Sequence, residues 1–504
     1  MEPSPPGVRP RLAAIHPWLA AIQPWHGSAA DAARRLRGRP ALAWLDSATA
    51  AAGTPTTENA ATARWSIVAS DPRWQLVAYG DDVLFTDAAG PRRLPGGALH
   101  AFARLVEAEP PPDLAAAPVD GLPFLGGAIG YLGFELGREV ERLPATTVDD
   151  VGAPDLAMGW YDAAVIEDHA TGRAWLAGRP GAVAALRSRL ERPRQVPLGV
   201  SLGGGIPRSN IPRARYLELV ERARAYIRAG DVYQVNLSQR FSALCRADGF
   251  DAYRRLRDAS PAPFAAYLDL RGPLANLEVL SSSPERFLLA DGDHLETRPI
   301  KGTRPRGRDT AEDARLAAAL LASEKDRAEH VMIVDLERND LGRVARTGSV
   351  SVPALAALES YAQVHHLTST ITARRRPGVG LEALLRATFP GGSISGAPKI
   401  RALEIIDELE PTVRGVYTGT IGYRSAGGRL DLNIAIRTIT LADGVAHLHI
   451  GGAIVHDSDP EAEYLETLDK ARGMARALDL TLPDEAPNEA AALPAAVGGA
   501  PLER

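Results

Sequence analysis

The sequence predicts an α+β protein, and three observations carry that reading. Short apolar strand-like runs separated by turns fill the first half, and long amphipathic helices appear in the second. The two kinds of element never settle into the strict strand–helix alternation of a doubly wound sheet. No internal repeat with a period of about 20 to 50 residues is present.

The Pro-rich opening, residues 1–11, has little with which to build a core, so residues 1–40 read as a partly disordered N-terminal extension. From Ala41 to about Gln195 the runs WSIVAS, WQLVAYG, GGAIGYLGFELG (126–137) and DLAMGWYDAAVIEDHATGRAWLAG read as strands, the last folding back at its DHATG turn. Residues 196–212 break all periodicity and read as a linker, which puts a boundary near residue 205 between regions 41–205 and 206–482. Arg213–Ala229 is an amphipathic helix stopped by Gly230. Thr310 to about Arg338 reads as one or two helices opened by Thr310 and Asp313 in a capping-box spacing. In RLDLNIAIRTITLADGVAHLHIGGAIV, Asp443-Gly444 marks a hairpin turn. Leu430, Leu432, Ile434 and Ile436 share one face, but after Arg437 the apolar set switches to Ile439 and Leu441. One residue is inserted into the alternation, and a bulge at Arg437-Thr438 is expected. Asp459-Pro460 opens a last helix running to about Leu478, and the Ala/Pro/Gly-rich stretch 483–504 reads as a disordered tail.

Composition narrows the function classes. With 45% hydrophobic and 24% charged residues the chain can bury a large core, and a formal net charge of −5 argues against general affinity for nucleic acid or anionic membrane. The single cysteine, Cys245, excludes an intrachain disulfide and a Cys-based zinc cluster, and no run approaches 18 apolar residues, so a cytoplasmic protein is expected.

Arginine outnumbers lysine 53 to 4, the four being Lys301, Lys325, Lys399 and Lys470. Lysine persists here where arginine would not serve, because an ammonium can lose its proton when desolvated and become a nucleophile, whereas a guanidinium stays charged. Lys301 follows a short alternating strand and precedes Gly302, which permits a close backbone approach. Glu463 and Glu466 project from one helical face, and Glu329 supplies a third carboxylate from another helix; such oxygens suit Mg²⁺, although a solvated charged face has the same spacing. FPGGSISGAPK (389–399) has the glycine spacing of a phosphate loop but continues Ala-Pro instead of Lys-Ser/Thr, which argues against nucleotide binding. His365-His366 by itself is compatible with a structural pair.

The motifs SSSPERF, TRPIKGT, EKDRAEHVMIVDLERNDLGRV, VHHLTSTI, FPGGSISGAPKIRALEIIDELE, GTIGY, NIAIRTI and EAEYLETLDKAR occur in this order, and with them the chain resembles the chorismate-utilising enzymes from about Leu42 to Ala477. The resemblance implies two large antiparallel sheets packed as a sandwich with helices outside. It also implies that 41–205 is the family's N-terminal region, similar to that of anthranilate synthase component I, and 206–482 its chorismate-binding catalytic region. The activity implied is addition of ammonia to chorismate at C4 with loss of the hydroxyl, giving 4-amino-4-deoxychorismate for para-aminobenzoate and folate synthesis.

Carried over residue by residue, Lys301 matches the lysine that attacks C2, Glu285 the general acid, and His366 the histidine beside the ring. Glu329 and Glu466 match Mg²⁺ ligands, with Glu463 close by. Gly302, Thr303, Tyr423, Arg437, Gly451 and Gly452 match chorismate contacts, and Lys470 is a further candidate; Ala453 stands where the family has a third glycine. Ser47, Arg64 and Trp65 with Pro263, Phe264 and Ala265 match a tryptophan pocket. Anthranilate synthases of the family carry alanine where Lys301 stands, and isochorismate synthases carry a water-activating lysine where this chain has Gln234; both differences favour C4 amination. Nothing resembles the Gly-x-Cys-x-Gly nucleophile of a glutamine amidotransferase, so a partner subunit supplying ammonia is implied. C2 amination, and a noncatalytic amidotransferase-binding role, are the alternatives.

Overall fold

A computed structural model describes residues 18–47, 62–113, 121–194, 204–361 and 364–483. Two sheets of twelve strands each dominate it, and every pairing within them is antiparallel. Each sheet draws strands from both sides of residue 205. The first contains Trp65–Ala69 and Ala163–Asp168 together with Gln234–Leu244, Leu277–Ser283, Thr438–Ala442 and Val445–Ile454. The second contains Trp74–Tyr79 and Gly127–Leu132 together with Arg286–Asp291, Ile300–Pro305, Val364–Arg374 and Leu430–Asn433. The sheets face each other through an apolar layer that includes Ile67, Ile166 and Leu268 from one and Val77, Ile129 and Ile421 from the other. Helices Arg213–Ala229, Gly249–Ala259 and Pro460–Ala477 cover the outside of the first sheet, and Ala98–Glu107, Glu324–Gly342 and Leu381–Thr388 that of the second. This is the sandwich with outer helices that the family resemblance implies.

The filling between the sheets changes along their length, for a reason written in strand Gln234–Leu244. Val235, Leu237 and Phe241 pack outward under the helices, so the pleat turns Gln234, Asn236, Ser238, Arg240 and Ser242 inward. One end of the inter-sheet layer is therefore polar.

The strand reading holds at the DHATG hairpin (Ala163–Asp168 with Arg173–Gly178) and at Asp443-Gly444, whose φ angles of 49° and 74° suit a two-residue turn. Helix Arg213–Ala229 ends at Gly230 with φ 84°. Two expectations need correction. Helix Thr310–Ala322 is capped by the Asp309 carboxylate, which accepts from Glu312 N, and not by Thr310; a second helix, Glu324–Gly342, is capped by Ser323. The break at Arg437-Thr438 is not a bulge. Leu430–Asn433 belongs to one sheet and Thr438–Ala442 to the other, so the apolar set switches because the chain crosses the sandwich there. Arg437, with φ 50°, lies in that crossover.

Residues 18–40 contribute strand Ala21–Trp25 and helix Ala29–Leu36 to the fold. The expected disorder at 1–11 and 484–504, and residues 196–203 of the expected linker, lie outside the described residues; within the rest of that stretch Arg208–Ser209 pairs as a strand with Gln234–Leu244. Among the described residues no helix is long and apolar enough to cross a membrane. A β-carbon added at Gly130, in the middle of the second sheet, would lie 1.9 Å from the Ala157 carbonyl oxygen. Gly130→Ala is expected to destabilise the protein by about 2 kcal/mol or more through forced separation of the strands; an unchanged urea midpoint would contradict this packing.

Candidate active site

Two crossovers between the sheets lie side by side at the polar end. Leu277–Ser283 passes to Arg286–Asp291 through Pro284-Glu285, and Leu430–Asn433 passes to Thr438–Ala442 through 434–437. They are tied together: Ile434 N donates to Glu285 O at 3.0 Å, the Ser283 hydroxyl donates to Ile434 O at 2.5 Å, and Ser282 N donates to Arg437 O at 3.1 Å. Each delivers one charged side chain into the gap. Glu285 is 5% exposed, and its Oε1 is buried without a hydrogen-bond partner. Burial raises its pKa to about 6, against the opposing pull of Ser393, Lys301, the backbone of Ile300, and Arg437. Burial lowers the pKa of Arg437, with Glu285 opposing; among the described residues no carboxylate forms an ion pair with this guanidinium.

Lys301 reaches the same gap from strand Ile300–Pro305. Its register slips between Lys301 and Thr303 against Val364–Arg374, and the slip is made by Gly302 at φ 82°. The left-handed φ favours glycine there, and a β-carbon would be tight, at 3.0 Å from a Leu320 methyl and 3.3 Å from Asp326. Burial lowers the Lys301 pKa, Glu329 and Glu285 pull it back up, and Lys470 pushes it down. His366 shares a 2.9 Å hydrogen bond with Thr303 Oγ1, and burial, helped by Arg437, lowers its pKa to about 3; it is a neutral imidazole. Its neighbour His365 instead bridges Asp313 and Ser360 at 2.9 and 2.8 Å, a structural role.

The carboxylates stand beside the lysine. Glu463 is buried, and a β-carbon added at Gly452 would lie 3.2 Å from its Oε2 and 3.9 Å from Glu466 Oε1. Burial raises the pKa values of Glu329 and Glu463. Glu466 is lowered, chiefly by Lys470, whose Nζ lies 2.7 Å from Glu466 Oε1 and donates to Gly451 O at 3.0 Å. Lys325, which the sequence reading left without a role, lies 3.9 Å from Glu329 Oε1. The donors fit a hard divalent cation in kind, being carboxylate oxygens from two helices, two of them meeting at a glycine without a side chain to fill the space. As placed, lysines hold two of the three, and among the described residues no three carboxylate, imidazole or thiol groups are gathered closely enough to ligate one ion.

Comparison with known proteins accords with this geometry. A family profile described as chorismate binding enzyme matches residues 54–476. Aminodeoxychorismate synthase component 1 of Salmonella typhimurium is 44% identical over 418 residues, covering 82% of this chain and 90% of its own length. The chain belongs to the chorismate binding enzyme family. Anthranilate synthase component 1 of Streptomyces coelicolor is 45% identical over 387 residues, 72% of this chain and 75% of its own. The crystal structure of anthranilate synthase component I from Streptococcus pneumoniae superposes with a TM-score of 0.71 at 33% identity, covering 82% of this chain and 92% of that one. MenF, the menaquinone-specific isochorismate synthase of Escherichia coli, shares the fold at 18% identity and a TM-score of 0.65.

The remaining candidate residues of this chorismate binding enzyme are placed unevenly. Gly451 lies opposite Ser238, where a β-carbon would meet Leu237 O at 2.6 Å, so sheet crowding alone requires that glycine. Tyr423 is buried in the apolar inter-sheet layer with Phe124 edge-on to its ring at 5.7 Å; its hydroxyl neighbours Arg429, not Lys301. Gln234 is buried in the polar strand with Oε1 unpartnered. The tryptophan-pocket residues do converge: the Ser47 hydroxyl donates to Trp65 O and contacts Pro263 O, Ala265 pairs with Asp46, and Phe264 with Ser283. Arg64 is held bidentate by Asp168 and lies over Trp65, so hydroxyl and guanidinium are both engaged internally. Sequence reasoning also missed Ser393, beside Glu285, and Glu337, buried nearby with Thr297 donating to it at 2.7 Å. The rejected phosphate-loop motif was the available signal for Ser393.

The lowered Lys301 pKa predicts that competitive acetylation of the intact protein across pH gives a midpoint for Lys301 below the ordinary value of about 10.4. Glu285→Gln, which removes a negative neighbour, moves the midpoint further down. A midpoint at or above the ordinary value would contradict the burial.

Proposed function

We propose that this chain is aminodeoxychorismate synthase component I, which converts chorismate and ammonia to 4-amino-4-deoxychorismate. The observation that carries the reading is a desolvated lysine facing a buried carboxylic acid across a gap that also holds an unpaired arginine. As pH rises past 6, Lys301 gains neutral amine while Glu285 loses its proton, so the two required forms coexist only as a fraction, largest between their pKa values in either assignment of the shared proton.

The amine nitrogen of Lys301 bonds to C2 of chorismate, both ring double bonds shift, and the C4–O bond breaks as Glu285 donates its proton, releasing water. Ammonia then bonds to C4, both double bonds shift back, the C2–N bond breaks, and Lys301 is regenerated. The protons shed by the two nitrogens account for the one Glu285 gave and for the amine restored. Chorismate carries two carboxylates, and Arg437 with the backbone of Gly302-Thr303 suits one of them. His366, neutral, flanks the ring. Mg²⁺ held by Glu329 and Glu466, with Glu463 directly or through water, would supply the counter-charge for the ring carboxylate, and Lys470 must then release Glu466. Tyr423 and Gly451-Gly452 border the same layer. A tryptophan-like effector in the Ser47 pocket would have to displace internal contacts.

Ammonia is proposed to come from a glutamine amidotransferase subunit, consistent with the component 1 name of the relatives. A reducing cytoplasm suits the single, half-buried Cys245. The C2-aminating alternative has its own support in the Streptomyces relative, and Lys301 is the residue that separates the two.

Purified protein with chorismate, Mg²⁺ and ammonium salt should yield a product that a pyridoxal-phosphate lyase converts to para-aminobenzoate; anthranilate fluorescence instead would establish the alternative, and no turnover the noncatalytic role. Lys301→Ala should lose C4 amination by at least about 100-fold, the order expected for a nucleophile. Lys301→Arg should do no better than alanine, because a guanidinium does not deprotonate; rescue by arginine would show that the role is electrostatic.

A further inference from the structure

Helix Pro460–Ala477 carries Glu463, Glu466 and Lys470 at i, i+3 and i+7, the spacing of one helical face. The helix packs on strand Val445–Ile454, and the three side chains meet that strand at Gly451-Gly452. A glutamate four residues before a lysine is the favourable order for a pair on one face, and Lys470 Nζ lies 2.7 Å from Glu466 Oε1. The same Nζ donates to Gly451 O at 3.0 Å, so the ammonium ties its own helix to the strand beneath it. Gly452 shows what surrounds that ammonium. A β-carbon added there would lie 3.2 Å from Glu463 Oε2, 3.9 Å from Glu466 Oε1 and 3.9 Å from Lys470 Nζ. One point above the strand thus touches both carboxylates and the lysine.

A hard divalent ion binds carboxylate oxygen at about 2.0 to 2.6 Å, and Lys470 already engages Glu466 Oε1 at hydrogen-bond distance. Two cations on one oxygen repel each other, and partly buried charges are poorly screened. Ion and ammonium therefore exclude each other at Glu466. The lysine can leave without any movement of the backbone, because its stem is flexible and its side chain is 40% exposed. Lys325 is placed differently. Its Nζ is 3.9 Å from Glu329 Oε1, beyond hydrogen-bond distance, and its side chain is mostly in solvent, so it shields Glu329 without tying it down.

We propose that Lys470 is an exchangeable counter-ion of the carboxylate cluster: its ammonium bridges Glu466 and Gly451 O, and a divalent cation takes Glu466 and Glu463 by displacing it. The proposal rests on the reading of Glu329, Glu463 and Glu466 as Mg²⁺ ligands, and adds that the cation must compete with a lysine of this chain for one of them. The exchange keeps positive charge in the cluster throughout. That matters to Lys301, because Glu329 and Glu466 draw charge onto its amine while Lys470 opposes them. An ion that replaces Lys470 brings two charges to the same place, so the neutral amine is favoured before and after the exchange.

The test is Mn²⁺ binding by the full chain without chorismate, read from the electron paramagnetic resonance signal of the free ion. Lys470→Gln should lower the Kd by about 10-fold or more, the order of one charge-assisted hydrogen bond that no longer has to be broken. Lys325→Gln should lower it by no more than about 3-fold, as for an exposed pair. No gain in Lys470→Gln overturns the exchange, and so do equal gains in the two variants, which would mean general repulsion. The unaltered chain gives a second reading, since its four lysines are each resolved by peptide mass after acetylation. Saturating Mg²⁺ should raise the acetylation rate of Lys470 several-fold and leave that of Lys399, held by Asp340 and Thr388 O, unchanged. A Lys470 rate that stays constant while the ion binds overturns the proposal. If neither the unaltered chain nor Lys470→Gln binds Mn²⁺ at millimolar concentration, the reading of the carboxylates as metal ligands fails instead, an outcome distinct from the others.

Discussion

The structure depends on two chain crossings held against each other. A crossing between packed sheets leaves backbone donors and acceptors outside any ladder, and buried ones must find partners. Here Pro284-Glu285 and 434–437 partner one another through Ile434 N to Glu285 O, Ser283 Oγ to Ile434 O and Ser282 N to Arg437 O. Because neither crossing is satisfied alone, the two charged residues they carry arrive together. Strand pleats place side chains about 7 Å apart along one face; a crossing escapes that spacing, and a carboxyl and a guanidinium thereby reach a gap that the sheets otherwise fill with aliphatic side chains.

The charges in that gap are set by competition between desolvation and neighbours. Full burial alone displaces an ionisable group by up to about 3 to 5 pH units, and a close opposite charge returns about 1 to 3. For Lys301 burial wins even though three carboxylates oppose it, because Lys470 adds to the burial and is also engaged with Glu466, weakening that carboxylate's hold. For Glu466 the balance reverses: Lys470, 2.7 Å away, outweighs the opposing desolvation and lowers its pKa. Neighbouring carboxylates of one cluster are thus shifted in opposite directions, Glu329 and Glu463 up by burial and Glu466 down by Lys470.

Much of this was legible in the sequence, and the parts that were not share a cause. Periodicity within one element identified helix Arg213–Ala229, the Asp443-Gly444 turn and the inserted residue before Thr438. It could not say which sheet each strand joins, so a crossing that breaks alternation looked like a bulge. The motifs brought Lys301, Glu285, His366, Arg437 and the carboxylates to one end of the sandwich, whereas Tyr423, drawn from the same set of motifs, lies against Phe124 and Arg429. Arg414 escaped notice because it donates to backbone carbonyls, Ile394 O and Asn236 O, which carry no residue identity. Thr310 was mistaken for a cap because Asp309 and Thr310 are both good cap residues and only the backbone decides which one leaves the helix.

The scarcity of lysine acquires a physical meaning from the partners each one has. Arginine in this chain repeatedly makes planar two-pronged pairs, as Arg64 does with Asp168, Arg240 with Asp150 and Arg286 with Asp431. Lys470 and Lys399 do something else: each ammonium bridges one carboxylate and one backbone carbonyl from a different element, Glu466 with Gly451 O and Asp340 with Thr388 O. Those acceptors lie in diverging directions around a point, which three tetrahedral donors satisfy and a flat fork does not. Lys325 holds Glu329 loosely at 3.9 Å, a distance from which a flexible stem can withdraw. Burial lowers the pKa of Lys301. The geometry of the partners therefore explains the ammonium at Lys470 and Lys399, whereas at Lys301 what counts is the capacity of an amine to shed its charge, which a guanidinium lacks.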